Sequence, residues 1–429
     1  MRFALAVGFS AVLASATAEQ RVSYDGYKAY SISTGDDGQA IRDKLSDLDF
    51  VALTVHQVDD HFDVAIAPDS LSEFEALGLE TQLISEDLGA EFAEESAFED
   101  YPGLGDDSAL EKRQSSALPA ISWFNSYHSY ADHRTFFNAL NAAFPSNSEI
   151  FSAGKSYEGR DIYGLHFWGA GGKGKKPAIY FHATVHAREW IAAPVEEYHA
   201  WQLINGYLTN DATITAIVDK YDFYFIPFVN PDGFVYTQST NRLWRKNRQP
   251  RTTSSCVGTD NNRNWPYQWS LSGGASTNPC DEDYKGLAAS DTPEITNLVA
   301  FTKSINTNGI KLYIDFHSYG QYILQPYGYS CTLYPANINQ QLSAANTMAN
   351  RIYAYSGARY TTGSSCGALY ATTGDSTDYL TGVSGATYAW TIELRPSSSS
   401  GGGFVLPAAQ IITTAREQWE GLKTLFSII

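Results

Sequence analysis

The chain has 429 residues, of which 43% are hydrophobic and 18% are charged. A length of this order predicts two or three domains, and the supply of apolar side chains excludes a wholly disordered protein. The net charge of −18 argues against a nucleic-acid-binding protein, because such proteins need a basic face.

The first 18 residues have the pattern of a secretory signal peptide. Arg2 precedes an apolar run over residues 3–12, and small residues follow at Ala14, Ala16 and Ala18. The run is shorter than the ~20 residues that a membrane-spanning helix needs. We therefore predict cleavage after Ala18 and a secreted, extracellular protein that has no membrane partner.

The next segment, residues 19–113, contains 24 acidic and 6 basic residues and accounts for the whole net charge of the chain. Alternating and helically spaced apolar residues predict that it forms a small α+β domain. The predicted strands lie within 27–33 and 50–66, and the predicted helices span 41–48 and 71–77.

An acidic stretch, residues 91–107, precedes the dibasic pair Lys112-Arg113. The stretch predicts an exposed linker, and such linkers are preferred sites of proteolysis. One interpretation is an ordinary acidic domain with a solvated linker. We favour the interpretation that residues 19–113 are a pro-segment, which an activating protease removes by cutting after Arg113. A separate pro-segment explains why the negative charge is confined to these residues while residues 114–429 are nearly neutral.

Residues 114–429 are predicted to form one α/β domain. Near-continuous apolar runs bounded by turn signals are typical of buried strands, and the segments between them have helical spacing. Strands that alternate with helices predict a mixed, largely parallel sheet covered by helices on both faces. The predicted strands are 178–184, 223–229, 311–316 and 388–394, and the predicted helices are 191–208, 293–305, 337–355 and 408–426.

Metal-binding residue types cluster after the first of these strands. His186 and Glu189 stand three residues apart, so one helical turn can direct both side chains toward one point. His317 follows the strand 311–316, at the edge where open α/β sheets place their sites. Two histidines and one glutamate with an open fourth position are the ligands of a catalytic zinc ion. The alternative pair of His182 with His186 is disfavoured, because residue 182 lies in a predicted strand.

Further polar residues stand out from their surroundings. Arg245 lies in a basic cluster, which by itself indicates a solvated face, and Asp260 precedes the polar residues Asn262 and Arg263. Glu393 lies within an otherwise apolar predicted strand. A carboxylate in such a strand is costly unless it is paired or has a function.

The chain contains four cysteines, an even number that predicts two disulfides in a secreted protein. Three pairings are possible. The pairing of Cys256 with Cys280 and of Cys331 with Cys366 closes the shortest loops and is the one we expect.

Six motifs occur in order along residues 114–429. They are His186-Ala-Arg-Glu189-Trp, Asn230-Pro-Asp-Gly, Leu243-Trp-Arg245-Lys, Asp260…Asn262-Arg263-Asn-Trp, Asp315-Phe-His317-Ser-Tyr319-Gly-Gln321 and Thr391-Ile-Glu393-Leu-Arg395. With them the chain resembles the secreted zinc carboxypeptidases of the pancreatic A/B type. The acidic segment resembles the activation segment of that family more loosely, by position and strand pattern. The resemblance implies an eight-stranded, mixed and twisted sheet with helices on both faces, preceded by a small α+β pro-domain.

The resemblance implies one zinc ion per chain as the cofactor. It implies that His186, Glu189 and His317 are the zinc ligands and that Asp260 orients a ligand histidine. It also implies that Glu393 is the general base that takes a proton from the attacking water.

The resemblance further implies how the substrate is held. Arg245 would polarise the scissile carbonyl and stabilise its oxyanion. Arginine suits recognition of a terminal carboxylate, because its planar fork donates two parallel hydrogen bonds. The implied substrate-binding residues are Asn262 and Arg263 at the terminal carboxylate, Tyr370 as a mobile side chain that closes on the substrate, and Arg188 and Tyr319 at outer subsites.

The implied function is that of a secreted, monomeric exopeptidase made as a zymogen, with its own pro-segment as inhibitor. It would release single residues from peptides or proteins that have a free C-terminus. The residue seven positions after Tyr370 is Asp in family members that remove Lys or Arg, and it is Thr377 here. We expect a preference for hydrophobic and aromatic C-termini, with broad or basic specificity as the alternative because Asp375 and Asp315 could lie near the pocket wall.

Two other function classes are disfavoured. The sequence from Gly363 to Gly367 matches the nucleophile elbow of serine hydrolases, with Ser365 at its centre. That fold needs a histidine after the serine, and no histidine follows His317. A non-catalytic, carboxypeptidase-like peptide binder would lack a ligand or the general base, whereas this sequence contains all of them.

Overall fold

The computed structural model describes residues 20–35, 37–56, 60–97, 118–252, 254–397 and 403–429. The predicted signal peptide and the dibasic pair Lys112-Arg113 lie outside these residues. The described part forms an N-terminal lobe, residues 20–97, and a C-terminal lobe, residues 118–429. Among the helices of the described ranges, none combines the length and the apolar character that crossing a membrane requires.

The N-terminal lobe contains a four-stranded antiparallel sheet in the order β2-β3-β1-β4. Ile32, Phe62 and Phe74 lie in the core between this sheet and two of the helices. The elements are β1 (Lys28–Ser33), α1 (Gly38–Leu45), β2 (Phe50–Ala52), β3 (His61–Ile66), α2 (Leu71–Ala76), β4 (Thr81–Ser85) and α3 (Leu88–Glu95).

Two sequence predictions for this lobe need correction. The region predicted as strand over 50–66 contains two separate strands, β2 and β3, and the residues from Leu53 to His56 that follow β2 do not have strand conformation. The acidic stretch predicted as a linker begins instead with part of helix α3, which Asp87 caps by accepting a hydrogen bond from the Ala90 amide. Phe92 and Glu95 of this helix are buried. The high negative charge of the stretch obscured this apolar face.

The C-terminal lobe contains an eight-stranded mixed sheet in the order β11-β10-β12-β9-β7-β8-β6-β5. Its central strands β12, β9, β7 and β8 are parallel, which confirms the predicted sheet type. The strands are β5 (Ser148–Lys155), β6 (Asp161–Trp168), β7 (Ala178–Ala183), β8 (Asp222–Ile226), β9 (Ile310–Ser318), β10 (Tyr322–Gln325), β11 (Thr361–Ser364) and β12 (Tyr388–Leu394).

Helices cover both faces of this sheet, and a separate core lies on each face. Successive residues of a strand point to opposite faces, so they pack into different cores. Ile179 and Phe181 contribute to one core, and Tyr180 between them contributes to the other. The helices are α4 (Tyr130–Ala143), α5 (Ala192–Leu208), α6 (Ala212–Lys220), α7 (Pro231–Ser239), α8 (Pro293–Ile305), α9 (Ile338–Ser356), α10 (Ser365–Ala368), α11 (Ser376–Gly382) and α12 (Ile411–Ile428).

Both disulfides have the predicted local pairing, Cys256–Cys280 and Cys331–Cys366. The four predicted strands and four predicted helices of this lobe all form, with ends that differ by a few residues. The Gly/Ser-rich stretch over residues 397–403 also predicts a loop, and residues 398–402 of it lie outside the described residues. The outer strands β5, β6, β10 and β11, two at each end of the sheet, escaped prediction because they are short or lack a continuous apolar run.

Candidate metal centre and cleft

The candidate metal ligands meet where two neighbouring parallel strands end. His317 lies in β9, and His186 and Glu189 follow β7, which pairs with β9 in parallel. The prediction that a helical turn carries His186 and Glu189 is wrong, because the helix begins only at Ala192. Thr184, with a φ of 55°, ends the strand, and a turn closed by the Glu189 amide and the His186 carbonyl brings the two side chains together.

The three side chains form a compact, buried group of metal-binding atoms. His186 Nδ1 lies 2.8 Å from Glu189 Oε1 and 3.1 Å from His317 Nδ1. His317 Nδ1 lies 3.0 Å from Glu189 Oε2. Ligands at the bond lengths of a tetrahedral zinc ion stand about 3.3 Å apart. Two ring nitrogens that face each other and one carboxylate therefore fit a bound zinc ion.

A buried carboxylate contacts the second ring nitrogen of each candidate histidine ligand. Asp260 Oδ1 lies 3.1 Å from His186 Nε2, and Asp315 Oδ1 lies 3.1 Å from His317 Nε2. Arg245 donates from Nη2 to Asp260 Oδ2 over 2.8 Å. Burial alone would raise the pKa of Asp260, but Arg245 and His186 outweigh it and hold that pKa well below its usual range. Asp260 thus stays ionised beside His186.

Glu393 reaches the same region from β12, the strand on the other side of β9. It is in register with His317 in this parallel pair. Burial raises the pKa of Glu393 to about 8, and the neighbouring Glu189 adds to the rise. A carboxylate with a raised pKa can hold and return a proton near neutral pH.

Asn262 and Arg263 follow Asp260 in a tight turn, in which the Asp260 side chain accepts a hydrogen bond of 2.8 Å from the Asn262 amide. Asn262 Nδ2 lies 3.4 Å from His317 Nε2, so the turn stands beside the metal group. The Arg263 side chain is only 2% exposed. Its Nε has no hydrogen-bond partner among the residues that the structure describes. A buried guanidinium nitrogen without a partner is costly, and a bound anion would remove that cost.

A narrow cavity of about 60 Å³ lies between the two lobes and is lined by residues of both. Leu53, Thr54 and Val55 of the N-terminal lobe form one side. The residues of the C-terminal lobe that line it are His186, Arg188, Glu189, Arg245, Ser318, Tyr319, Leu369, Tyr370, Glu393 and Phe404. Leu53, Thr54 and Val55, which follow β2, thus lie in the cleft that leads to the metal group.

Each of the predicted outer residues of the cleft contacts the N-terminal lobe. Arg188 Nη2 donates to the Leu53 carbonyl over 3.2 Å, and the Arg188 guanidinium lies over the Phe404 ring. The Tyr319 hydroxyl donates to Asp63 over 2.5 Å. The contacts use the groups that sequence similarity assigns to substrate binding.

His56 and Glu95 complete this interface. The His56 ring packs on the Tyr370 ring with a centroid separation of 4.6 Å, and His56 Nε2 lies 3.3 Å from Asp283. Glu95 accepts hydrogen bonds from Arg242 Nε and Nη2 over 2.5 and 2.9 Å, and both side chains are buried. Arg242 belongs to the same basic cluster as Arg245, three residues before it, and is therefore not part of a solvated face.

Sequence reasoning missed several of these residues. His56, Asp283 and Phe404 lie outside every motif, and only their contacts across the cleft bring them to the site. Asp315 does not lie on a pocket wall, because it is fully buried between two histidines and Ser376. In the serine-hydrolase motif, the Ser365 hydroxyl donates to the backbone carbonyl of Gln325.

Residues 133–421 match the family model of zinc carboxypeptidases. The chain belongs to this family. It is 40% identical over 411 residues to metallocarboxypeptidase A of Trichophyton rubrum, a match that covers 95% of this chain and 94% of the relative. This carboxypeptidase therefore hydrolyses peptide bonds with zinc as its implied cofactor.

Solved structures show the same fold. The carboxypeptidase A of Helicoverpa armigera superimposes with a TM-score of 0.76 at 27% identity, covering 94% of this chain and 97% of that one. Thrombin activatable fibrinolysis inhibitor superimposes with a TM-score of 0.83 at 24% identity, covering 94% and 98%. Because both matches cover 94% of this chain, they include residues of the N-terminal lobe as well as the C-terminal lobe.

Proposed function

We propose that this carboxypeptidase releases single C-terminal residues from peptides and that His186, Glu189 and His317 hold its one zinc ion. A zinc ion bound there supplies Lewis-acid chemistry, because it polarises the scissile carbonyl and makes water more acidic. Glu393 takes a proton from the attacking water and returns it to the leaving amine. Arg245, fixed by Asp260, offers positive charge to the oxyanion that develops.

The observation that carries the exopeptidase proposal is the buried Arg263, which shares a tight turn with Asn262 beside the metal group and whose Nε lacks a partner among the described residues. Every peptide with a free C-terminus presents a carboxylate anion at its last residue. Arg263 and Asn262 would bind it, and this contact would place the last peptide bond beside Glu393. The C-terminal end of the substrate then sets the position of the peptide in the cleft, so cleavage is confined to the last peptide bond.

We further propose a preference for hydrophobic and aromatic C-terminal residues. Thr377, at the position that distinguishes specificity within the family, donates its hydroxyl to Asp375. The Asp375 carboxylate also accepts hydrogen bonds from Thr372 and from the Asp378 amide. Because these protein groups already engage both oxygens of Asp375, it is a poor counter-ion for a substrate Lys or Arg. Initial rates on peptides that differ only in a final Phe, Leu or Lys test this preference, and faster release of Lys would favour the basic alternative.

We propose that the protein is secreted as a zymogen and that residues 19–113 are its pro-segment. The N-terminal lobe contacts Arg188, Tyr319 and Tyr370, the groups proposed to bind substrate. A lobe in that position blocks the approach of a peptide while leaving the metal ligands together. Cleavage after Arg113 by an activating protease would allow the lobe to leave, and the product would act as a monomer.

The zinc assignment predicts that His317→Ala protein retains less than one tenth of the wild-type zinc after dialysis. Loss of one of three protein ligands leaves a site that cannot hold the metal against dilution. Metal analysis of both proteins measures the effect. His199→Ala is the matched control, because His199 is equally buried but contacts aromatic residues instead of the metal group. Full zinc content in the His317 variant would contradict the assignment.

The carboxylate assignment predicts that Arg263→Ala slows cleavage of a peptide with a free C-terminus by about 100-fold or more. Removing one partner of a buried charged hydrogen bond costs about 3–5 kcal/mol. The same peptide with an amidated C-terminus should be a poor substrate for the wild type and should be little affected by the substitution. Comparison of kcat/KM for the four combinations measures the coupling. Equal cleavage of the amidated and the free peptide by the wild type would refute the exopeptidase proposal.

A further inference from the structure

Asp315 is a fully buried carboxylate two residues before the ligand His317 on strand β9. Residues two apart on a strand share one face, so both side chains point the same way. Asp315 Oδ1 lies 3.1 Å from His317 Nε2 and 3.0 Å from His182 Nε2. Its Oδ2 accepts a hydrogen bond of 2.7 Å from the Ser376 hydroxyl. Buried carboxylates persist only with such compensation.

The orientation of the His317 ring gives this contact a consequence for the metal. Its Nδ1 faces Glu189 and His186, and its Nε2 faces Asp315. A nitrogen that binds a metal carries no proton, so the proton of a neutral ring must be on the other nitrogen. A carboxylate next to Nε2 favours that tautomer and fixes the plane of the ring. Asp315 is thus placed at His317 as Asp260 is placed at His186.

His182 contacts Asp315 from the neighbouring strand β7. Its Nε2 also lies 2.6 Å from the Tyr313 hydroxyl, and its Nδ1 lies 3.3 Å from the Tyr180 hydroxyl. His182 is therefore held on both ring nitrogens. The group of metal-binding atoms within the described ranges comprises His186, Glu189 and His317 and excludes His182.

Ser376 connects Asp315 with the substrate side of the cleft. Its hydroxyl donates to Asp315, and its backbone amide donates to Asn262 Oδ1 over 2.9 Å. Because the second contact engages the Asn262 oxygen, Nδ2 faces His317 Nε2. An amide NH2 can only donate, so a proton on His317 Nε2 finds its acceptor in Asp315 and not in Asn262. One residue at the start of helix α11 thus ties the carboxylate behind the metal group to the proposed clamp on the terminal carboxylate.

We propose that Asp315 is a positioning residue of the metal centre, which fixes the tautomer and orientation of His317 and is itself anchored by His182 and Ser376. The proposal rests on the zinc site of the proposed function. According to this proposal, the buried pair of Asp315 and His182 affects zinc affinity in addition to any effect that it has on folding.

The test is the zinc affinity of the full-length precursor carrying Asp315→Asn, measured by competition with a chromophoric chelator. We expect zinc binding to weaken by about 10–100-fold, because an amide is a weaker acceptor and can turn its NH2 toward the ring. With Co²⁺ in place of zinc, the visible absorption bands should shift, since they report the ligand geometry. Asp222→Asn is the matched control. Asp222 is buried and lies 3.0 Å from His166 Nε2 in the same sheet, away from the metal group, so its loss should leave zinc affinity unchanged.

Each outcome separates this proposal from the others. Zinc affinity within twofold of wild type in the Asp315 variant would overturn it, as would equal weakening in the Asp222 control. Absence of zinc binding by the wild-type protein would refute the zinc site itself. If Asp315→Asn does not fold, His182→Ala provides the second test, because it keeps the carboxylate and removes its anchor. Unchanged zinc affinity in a folded His182 variant would overturn the proposed anchoring.

Discussion

Replacing Glu393 by Gln should lower kcat by about 10²–10⁴-fold while zinc content and folding stay as in the wild type. The amide has nearly the same shape as the carboxylate but cannot accept the proton of the attacking water. Because Glu393 is not one of the proposed zinc ligands, metal binding should survive. Steady-state kinetics on the activated enzyme, together with metal analysis, measures both quantities.

Glu294→Gln is the control for that experiment. Glu294 is also fully buried, and burial raises its pKa as well, but it accepts hydrogen bonds from Asn247 and the Tyr157 amide. Loss of the Glu294 carboxylate should change the free energy of unfolding more than it changes kcat. Ordinary turnover in the Glu393 variant would show that another group is the base, and loss of zinc would show that Glu393 also holds the metal centre together.

The uncleaved precursor should show less than about 1% of the activity of the enzyme cleaved after Arg113. A free-energy difference of about 2.7 kcal/mol between the docked and the undocked lobe accounts for this low activity, because it leaves about one molecule in 100 with an open cleft. The contacts of Leu53, Asp63 and His56 lie on the groups proposed to bind substrate, so the docked lobe and a peptide exclude each other. Assays of the two forms on one small peptide measure the difference. Equal activity would show that the lobe does not act as a lid.

The buried pair of Glu95 and Arg242 provides a sharper test of the same idea. Glu95→Gln leaves Arg242 without its carboxylate, and breaking a buried pair costs about 3–5 kcal/mol. The uncleaved Glu95 variant should therefore show markedly more activity than the uncleaved wild type, although its C-terminal lobe is unaltered. Glu94→Gln, on the exposed face of the same helix, is the matched control and should stay inactive. If the uncleaved Glu95 variant is as inactive as the uncleaved wild type, this pair does not hold the N-terminal lobe over the cleft.

The isolated segment 19–113, added to the cleaved enzyme, should inhibit it less strongly as salt rises. Its net negative charge attracts it to the basic residues of the cleft, and exposed charges are screened beyond about 8 Å at physiological ionic strength. Burial of the Glu95–Arg242 pair limits the effect, because buried pairs are screened less. Inhibition constants at several salt concentrations measure it, and inhibition that increases with salt would contradict an electrostatic contribution.

The sequence by itself determined the central strands, and it predicted the proposed metal ligands and the polar residues of the cleft from their places along the chain. These features depend on local patterns: apolar runs for β7, β8, β9 and β12, and polar residues that stand where those strands end. It could not determine how His186 and Glu189 are brought together, because spacing alone does not distinguish a helical turn from the tight turn that follows Thr184. A helical turn and this tight turn both place two residues that are three positions apart on the same side of the backbone.

Only the tertiary structure decided which groups face the metal and the cleft from distant parts of the chain. The contact of Arg188 with Leu53 joins residues 135 positions apart, and the pair of Arg242 with Glu95 joins residues 147 apart. The place of Asp315 behind His317 depends on the register of β9 against β7 and on the start of α11. Contacts of this kind arise from the packing of whole elements against each other, and no local pattern of residues encodes them.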